Sequence, residues 1–424
     1  MAKKYSTLDK IEVDLKDNVY RGIVMPNSDS KTLFLKLESG YNLGILSKNI
    51  KKIKLIKKVS KNKTQSSHKI KHNNNLPLIS ILHTGGTIAS KVDYNTGGVI
   101  SRFEPEELIG MFPELEKIAN IESIFISNIF SENLRFRDYK KLADAIEKEI
   151  KKGVKGIIIG HGTDTLHYTS AALSFMFDHL PIPIILVGSQ RSSDRGSSDA
   201  ALNLINAAYF IANTPFKGVG ICMHKNIEDD SCLILPPLKT RKLHTSRRDA
   251  FKVVNSNPIA EVNYSKNKFI MFSKSENEQG TWKVKAKFEE KVGILKVYPN
   301  LNSKQIESFK GYKGLIIEGT GLGHISTDNS PENKKIFNTL KKLSKNCVIV
   351  MTSQCLFGRV NLNVYSTGRD LLKIGIIPGE DMLPETAYIK LAWLLGNYKK
   401  QEVRQMISKN LKGEINKRLD LEFL

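Results

Sequence analysis

The length, composition and charge of the sequence exclude several classes of protein. The chain has 424 residues and a net charge of +22, and 40% of its residues are apolar and 25% charged. This composition excludes a disordered or fibrous chain, and the length suits two or three domains of about 100–200 residues each. The sequence has no apolar run of about 18 residues and no signal-peptide core near its start, so we expect a cytoplasmic protein with no membrane span.

The first 58 residues carry short segments in which apolar and polar side chains alternate. These segments are separated by turn-forming residues, and they read IEVDL, YRGIVM, TLFLKLE and YNLGIL. Alternation with a period of two is typical of strands that bury one face. The spacing therefore predicts a small β-barrel-like domain of antiparallel strands over residues 1–58.

Half of the excess positive charge lies in the first sixth of the chain. Residues 1–75 hold 17 Lys and Arg against 6 Asp and Glu, and ten lysines between Lys48 and Lys71 are accompanied by no acidic residue. We interpret residues 59–75 as a basic linker. The run fits a polyanionic partner such as RNA, in which case binding would weaken steeply with salt. It equally fits a solvated linker, and both interpretations stay open.

From Leu76 onward the pattern changes to apolar runs followed by amphipathic stretches. Runs such as LPLISIL, GIIIG and IPIILVG end in loops rich in Gly, Thr and Ser, and helical patterns such as LHYTSAALSFMF follow. Fully apolar strands that alternate with helices indicate a parallel sheet covered on both faces. We therefore predict a two-domain α/β fold: a larger domain over 76–264, a connector over 265–291 and a smaller domain over 292–424.

Two loops at predicted strand ends combine hydroxyls, glycines and a carboxylate. The first reads Thr-Gly-Gly-Thr over 84–87, and the second reads Gly-Thr-Asp-Thr over 162–165. Ligands of open parallel sheets bind at the carboxyl ends of the strands, so these loops are candidate parts of one site. The alternative is local structure only, because glycine favours turns and Asp and Thr cap helices well.

A third segment adds cations to this set. Residues 235–251 read LPPLKTRKLHTSRRDAF, a dense group of basic and hydroxyl side chains. Burial lowers the pKa of a lysine, and a neutral lysine can act as the base that a threonine nucleophile requires. No phosphate-binding loop, paired metal-ligand spacing or Cys-x-x-Cys motif is present. Threonine, lysine and aspartate without a metal indicate acyl transfer on an amide; the alternative is an exposed basic loop.

These segments resemble a known family. HTGGTIAS at 83–90 and IIIGHGTDTLHYTSAAL at 157–173 resemble the two signature motifs of the bacterial-type asparaginase/glutaminase family, and RKLHTSRRDAF at 241–251 is similar to its lysine-bearing segment. The N-terminal extension, together with residues 351–370 and 379–393, makes the whole chain resemble the GatD family, the glutaminase-type subunits of archaeal glutamyl-tRNA(Gln) amidotransferases.

The resemblance implies a role for each matching residue. Thr84 would be the nucleophile, and Thr163, Asp164 and Lys242 would form the proton relay, with Lys239 as the alternative lysine if the alignment slips. The residues that would bind the substrate are Ser131, Glu132, Gly162 and Tyr94. The implied reaction is hydrolysis of the glutamine side-chain amide through a glutamyl ester.

The resemblance also implies partners. Ammonia would pass to a GatE-type subunit, which would use ATP and Mg²⁺ to amidate the glutamate of Glu-tRNA(Gln), and this chain would need no metal or cofactor of its own. A homodimer core within a heterotetramer is expected. Two other functions stay open from the residues: a free-standing L-asparaginase that acts on free amino acids, and a catalytically silent RNA-binding scaffold.

Overall fold

The structure is a computed structural model, and it describes most of the chain. The described residues are 5–6, 9–16, 18–25, 31–37, 42–58, 73–86, 90–92, 99–101, 112–191, 198–272 and 280–419. Of the predicted basic linker, only residues 73–75 lie within them. No helix in this part of the chain has the length and apolar character needed to cross a membrane.

An antiparallel sheet forms from the N-terminal segments. Its five strands are β1 (Lys10–Asp14), β2 (Val19–Val24), β3 (Thr32–Leu37), β4 (Asn42–Leu46) and β5 (Lys52–Lys57), in the order β4-β3-β2-β1-β5. Alternation along β1 buries Ile11 and Val13, which pack with Leu35 of β3 in a small apolar core. This confirms the small antiparallel domain predicted at the N-terminus.

The region after it contains most of the strands. They are β6 (Leu78–His83), β7 (Ser90–Val92), β8 (Val99–Ser101), β9 (Asn120–Phe125), β10 (Gly156–Gly160), β11 (Phe177–Asp178), β12 (Pro183–Val187), β13 (Gly218–His224), β14 (Cys232–Leu235), β15 (Thr240–Lys242), β16 (Phe251–Val253), β17 (Ala260–Asn263), β18 (Lys268–Met271) and β19 (Lys283–Val284). Eight of them form one mixed sheet in the order β18-β17-β14-β13-β12-β10-β6-β9.

The centre of this sheet is parallel and fully buried. Strands β9, β6, β10, β12 and β13 run parallel, whereas β14, β17 and β18 extend the sheet antiparallel beyond β13. Ile157 and Ile159 of β10 face one apolar core and Ile158 faces another, as the period of two requires. Burial on both faces explains why these strands are apolar throughout, and it confirms the predicted parallel sheet.

Three helices follow strands of this sheet. They are α1 (Phe136–Lys152), α2 (Leu166–Met176) and α3 (Ala200–Asn213). The sequence pattern predicts α2 and α3; it did not lead us to α1, whose surface is largely charged. The last strand, β18, lies in the segment expected to be a connector and pairs there with β17.

A second parallel sheet forms the remainder of the described chain. Its strands are β20 (Val292–Lys296), β21 (Gly314–Gly319), β22 (Val348–Ser353) and β23 (Ile377–Pro378), in that spatial order. Its helices are α4 (Ser303–Glu307), α5 (Pro331–Ser344), α6 (Ser366–Lys373), α7 (Pro384–Asn397) and α8 (Lys400–Met406). Helix α7 packs against α2, and one continuous apolar core joins both α/β domains.

Three short antiparallel pairs complete the structure. β7 pairs with β8, β11 pairs with β19, and β15 pairs with β16. The β15–β16 pair carries the candidate relay lysine at its end, and it forms a two-stranded sheet of its own beside the eight-stranded sheet.

Candidate active site

Thr84 lies in the loop directly after β6, at the carboxyl edge of the eight-stranded sheet. Its side chain is buried, and its Oγ1 donates a hydrogen bond to the Gly160 carbonyl at 3.0 Å. The Thr84 amide donates to the same carbonyl at 3.1 Å, while Ser127 Oγ donates to the Thr84 carbonyl at 3.0 Å. The backbone of the candidate nucleophile is therefore fixed between the ends of two neighbouring parallel strands.

The two glycine-containing loops pack against each other through their backbones. Gly86 has a φ of +84°, and a Cβ atom there would lie 2.5 Å from the Gly162 nitrogen. Gly85 has a φ of +115°, and a Cβ atom there would lie 2.4 Å from the Ile129 carbonyl oxygen. Only glycine tolerates both this backbone conformation and this close approach. The glycines thus bring the loop that carries Thr84 against the loop that carries Thr163 and Asp164.

Lys242 joins the second loop from the end of β15. Its Nζ donates to Thr163 Oγ1 at 2.8 Å and to Asp164 Oδ1 at 2.7 Å. The Lys242 side chain is 11% exposed, whereas the Asp164 side chain is 65% exposed. The three residues predicted as a proton relay therefore form one hydrogen-bonded cluster at the surface of the site, although they come from segments 78 residues apart.

Lys239, the alternative lysine, lies elsewhere. Its side chain is 2% exposed, and its Nζ donates to Asp381 Oδ2 at 2.6 Å and to the Asp381 carbonyl at 3.2 Å. Burial lowers the pKa of Lys239, and the charge of Asp381 offsets part of this effect. The geometry thus brings Lys242, and not Lys239, to Thr163 and Asp164.

The predicted substrate-binding residues divide into three groups. Ser131 is buried in a single turn of 3₁₀-helix, and a Cβ atom on Gly162 would lie 2.8 Å from Ser131 Cβ, so these two residues are in close contact. Glu132 lies in the same turn with its side chain exposed. Thr165 Oγ1 donates to the Ser131 carbonyl at 2.7 Å, which ties the turn to the second loop. Tyr94 lies outside the described residues.

A cavity of about 610 Å³ begins at Ser131 and Thr165. Aromatic and charged side chains form its other walls, among them Arg135, Tyr168 and Tyr388. Its described lining does not include Thr84 or Lys242. The cavity therefore borders the predicted substrate-binding turn without reaching the candidate nucleophile itself.

Three buried histidines surround the two loops. His161 lies between them and contacts the Gly162 carbonyl through Nδ1 at 2.7 Å and Thr169 Oγ1 through Nε2 at 2.8 Å. Burial lowers the pKa of His83 and of His161 to about 4, and that of His167 to about 3. These imidazoles are neutral near pH 7, so they support the loops without adding charge to the site.

The arrangement can move a proton between hydroxyl, amine and carboxylate groups. A lysine amine in contact with a threonine hydroxyl can exchange a proton with it, and an adjacent carboxylate stabilises the charged form of the amine. In the part of the chain that the structure describes, no group of three or more His, Cys, Asp or Glu side chains could hold a metal ion.

Sequence reasoning missed the residues that support the relay lysine from the second sheet. Arg241 Nε lies 3.0 Å from Glu385 Oε1, and Lys239 pairs with Asp381. A lysine in the apolar context LPPLKT was the available signal for burial, but no local pattern identifies its partner 142 residues away.

Comparison with family models divides the chain into three matched regions. Residues 5–56 match the GatD N-terminal domain, residues 78–276 match the N-terminal asparaginase domain, and residues 291–407 match the glutaminase/asparaginase C-terminal domain. The expected Thr, Asp and Lys residues all lie within the second match.

Solved structures of similar fold are asparaginases. The thermostable L-asparaginase from Thermococcus kodakarensis is 29% identical with a TM-score of 0.72, and L-asparaginase I from Vibrio cholerae is 30% identical with a TM-score of 0.70. Each alignment covers 80% of this chain and 99% of the solved chain.

Relatives of the same length carry a more specific name. The GatD-type subunit of the glutamyl-tRNA(Gln) amidotransferase from Methanococcus maripaludis strain C5 is 47% identical over 98% of this chain and 99% of its own length. The protein of that name from Pyrococcus furiosus is 45% identical over 97% of this chain and 94% of its own length. Similarity over both full lengths, N-terminal domain included, shows that the chain belongs to the GatD family of glutamyl-tRNA(Gln) amidotransferase subunits, which is built on the asparaginase fold.

Proposed function

We propose that this chain is the glutaminase subunit of an enzyme that converts Glu-tRNA(Gln) to Gln-tRNA(Gln). The observation that carries the proposal is the contact of Lys242 with both Thr163 and Asp164, at a loop that packs against the loop of Thr84. Family membership adds the tRNA-dependent context, since full-length relatives are named as GatD-type subunits of such an amidotransferase.

In the first step, Thr84 Oγ1 attacks the side-chain carbonyl carbon of glutamine. A C–O bond forms, the C–N bond breaks, and the hydroxyl proton passes through Thr163, Asp164 and Lys242 to the leaving nitrogen, which departs as ammonia. Because the Thr84 hydroxyl donates to the Gly160 carbonyl in this structure, it must turn away from that carbonyl before its proton can enter the relay. Backbone amides of the glycine loops would stabilise the oxyanion.

In the second step, water attacks the glutamyl ester. The ester C–O bond breaks, glutamate leaves, and one proton of the water returns to Thr84 Oγ1 through the same groups. The ammonia passes to a GatE-type partner, where ATP and Mg²⁺ activate the glutamate carried by the tRNA. We place two copies of this chain at the centre of a heterotetramer with that partner.

A Thr84→Ala variant tests the proposal. In the complex with its partner and Glu-tRNA(Gln), we expect ammonia release from glutamine to fall by about 10⁴-fold or more, because the nucleophile is lost. Amidation supported by added ammonium chloride should persist, since the partner's reaction does not need this site. Glutamine-dependent amidation that survives the substitution would refute the proposal.

Thr352→Ala is the matched control. Thr352 is also a buried threonine at a strand end, and its Oγ1 donates to a backbone carbonyl, that of Ile317, at 3.1 Å. It lies in the second sheet, so the control removes the same chemical group under similar burial. We expect both ammonia-dependent and glutamine-dependent amidation to survive it.

The alternative function is a free-standing L-asparaginase. The observation in its favour is the likeness to solved L-asparaginases over 80% of the chain. The same assay separates the two functions when asparagine replaces glutamine and the partner and tRNA are omitted. Rapid asparagine hydrolysis by the chain alone, indifferent to partner and tRNA, would favour the asparaginase.

A further inference from the structure

The segment that leads into Lys242 is held by the second α/β domain at three successive points. Thr386 Oγ1 donates to the Leu238 carbonyl at 2.9 Å, and Lys239 Nζ donates to Asp381 Oδ2 at 2.6 Å. Arg241 Nε lies 3.0 Å from Glu385 Oε1. The three partners, Asp381, Glu385 and Thr386, lie within six residues at and just before the start of α7.

Asp381 is the most enclosed of these partners. Its side chain is 0% exposed, and its second oxygen, Oδ1, accepts a hydrogen bond from the Asn416 amide at 2.9 Å. The Asn416 side chain in turn donates to the Asn255 carbonyl. One carboxylate thus connects the segment of Lys239 with the C-terminal segment of the chain, which itself returns to the domain of the candidate active site.

The hairpin of β15 and β16 needs such support. It is a two-stranded sheet of three residues a strand, and an isolated two-stranded hairpin is marginally stable at best. Consecutive residues of a strand point to opposite faces, so Arg241 and Lys242 face opposite ways. The contacts agree: Arg241 meets the second domain at Glu385, and Lys242 meets Thr163 and Asp164.

We propose that Asp381 is a positioning residue for Lys242. Through its ion pair with Lys239, Asp381 fixes the start of β15, and so fixes the distance from Lys242 Nζ to Thr163 Oγ1 and Asp164 Oδ1. This inference rests on the proposed relay role of Lys242. It adds that the second α/β domain sets the rate of the chemical step although Asp381 touches no reacting atom.

The expected signature is a loss of turnover without a loss of binding. Displacement of a catalytic group by about 1 Å can reduce a rate about 100-fold. The predicted substrate-binding turn at Ser131 lies on a different segment and keeps its own contacts with Gly162 and Thr165. Release of the hairpin should therefore lower kcat and leave KM nearly unchanged.

The chain offers a matched control for the stability effect. Lys390 and Glu414 form a second ion pair with a 2.6 Å contact and side chains that are 0% exposed. This pair joins α7 to the C-terminal segment, since Lys390 Nζ also donates to the carbonyls of Ile407 and Lys409. Asp381→Asn and Glu414→Gln each replace a fully buried carboxylate with an amide of equal size beside a buried lysine.

The experiment compares Asp381→Asn, Glu414→Gln and Lys242→Met in the complete complex. Glutamine hydrolysis is measured per folded protein, well below the thermal midpoint of each variant. We expect both amide variants to lose stability, but only Asp381→Asn to lower kcat, by at least 10-fold, with KM changed less than 3-fold. The double variant Lys239→Met/Asp381→Leu, which leaves no buried charge, repeats the test if Asp381→Asn fails to fold.

Two results would overturn the inference, and they are distinguishable. If Lys242→Met abolishes hydrolysis while Asp381→Asn and the double variant keep kcat within 2-fold of Glu414→Gln, the positioning role is wrong and the proposed function stands. If Lys242→Met itself keeps full activity, the relay role is wrong and the positioning role fails with it.

Discussion

Lys239 and Lys242 lie three residues apart, yet each marks a different region of the molecule. Both contact an aspartate at nearly the same distance, 2.6 Å for Lys239 with Asp381 and 2.7 Å for Lys242 with Asp164. The first pair is closed between the two α/β domains, with side chains 2% and 0% exposed. The second opens to solvent, because the Asp164 side chain is 65% exposed.

The difference shows that burial, and not contact distance, assigns the role of each pair. A charge that water cannot reach must keep its partner, so removal of one member destabilises the fold. A pair that water can reach is held weakly, and its groups remain available to gain, lose and relay protons. The short segment 239–242 therefore joins a structural ion pair to a reactive one. Substitutions on either side should separate these roles.

The largest effect is expected for Lys242→Met. Loss of the relay amine should reduce glutamine hydrolysis by between about 10² and 10⁴-fold, the usual contribution of a positioned acid or base. Stability should change by less than about 1 kcal/mol, because the Asp164 partner is exposed. Steady-state ammonia release and urea denaturation measure the two quantities. A stability loss as large as the catalytic loss would contradict the contrast between the two pairs.

The next largest effect is expected for Lys239→Met. This change leaves the Asp381 carboxylate buried without its ammonium partner, which should lower the free energy of unfolding by about 3–5 kcal/mol. Lys239→Met/Asp381→Leu should recover most of this loss, since it removes both charges. Urea denaturation of both variants supplies the measurement, and equal stability of the single and double variants would show that the buried charge is not the cause.

A sharper division of the molecule comes from pH. His83, His161 and His167 surround the loops of the candidate active site, and burial lowers their pKa values to about 4, 4 and 3. Between pH 6.5 and about 4 the unfolded chain binds protons at these positions that the folded chain does not. The free energy of unfolding should therefore fall as the pH falls through this window, by about 1.4 kcal/mol per pH unit for each histidine.

Denaturation at pH 7, 6 and 5 measures this slope. His83→Gln is the informative variant, because Gln can still meet Ser123 Oγ, which lies 2.9 Å from His83 Nε2. The variant should lose about a third of the slope, since one of the three titrating groups is gone. A stability that stays flat from pH 7 to pH 5 would mean that these histidines gain protons in the folded protein.

How far the sequence predicts the fold depends on how far burial is visible locally. Strands β6, β10 and β12 are apolar at nearly every position because they are buried on both faces, and this pattern correctly predicts a parallel sheet. Helix α1 was missed because its charged residues hide a narrow buried face, which comprises Tyr139, Leu142 and Ile146. That face follows the helical period of 3.6 and could have been found.

The candidate site could be predicted as a set of residues but not as a contact network. The motifs predict Thr84, Thr163, Asp164 and Lys242, and the structure adds that the last three are hydrogen-bonded together. The support of Lys242 by Asp381 could not be predicted, because the ion pair joins residues 142 positions apart and neither lies in a motif that defines the other. Their catalytic roles stay predictions until the variants are measured.

The smallest effect is expected at the surface of α1, where the Lys140–Asp144 pair has the same 2.7 Å contact as the Lys242–Asp164 pair. Both side chains are more than half exposed, at 62% and 52%, so water screens the attraction. Lys140→Ala should therefore change the free energy of unfolding by only about 0.3–0.5 kcal/mol and leave hydrolysis unchanged. A loss near that of Lys239→Met, measured by the same urea titration, would mean that contact distance governs these pairs. A small loss together with a large one at Lys239 would leave burial as the physical difference between them.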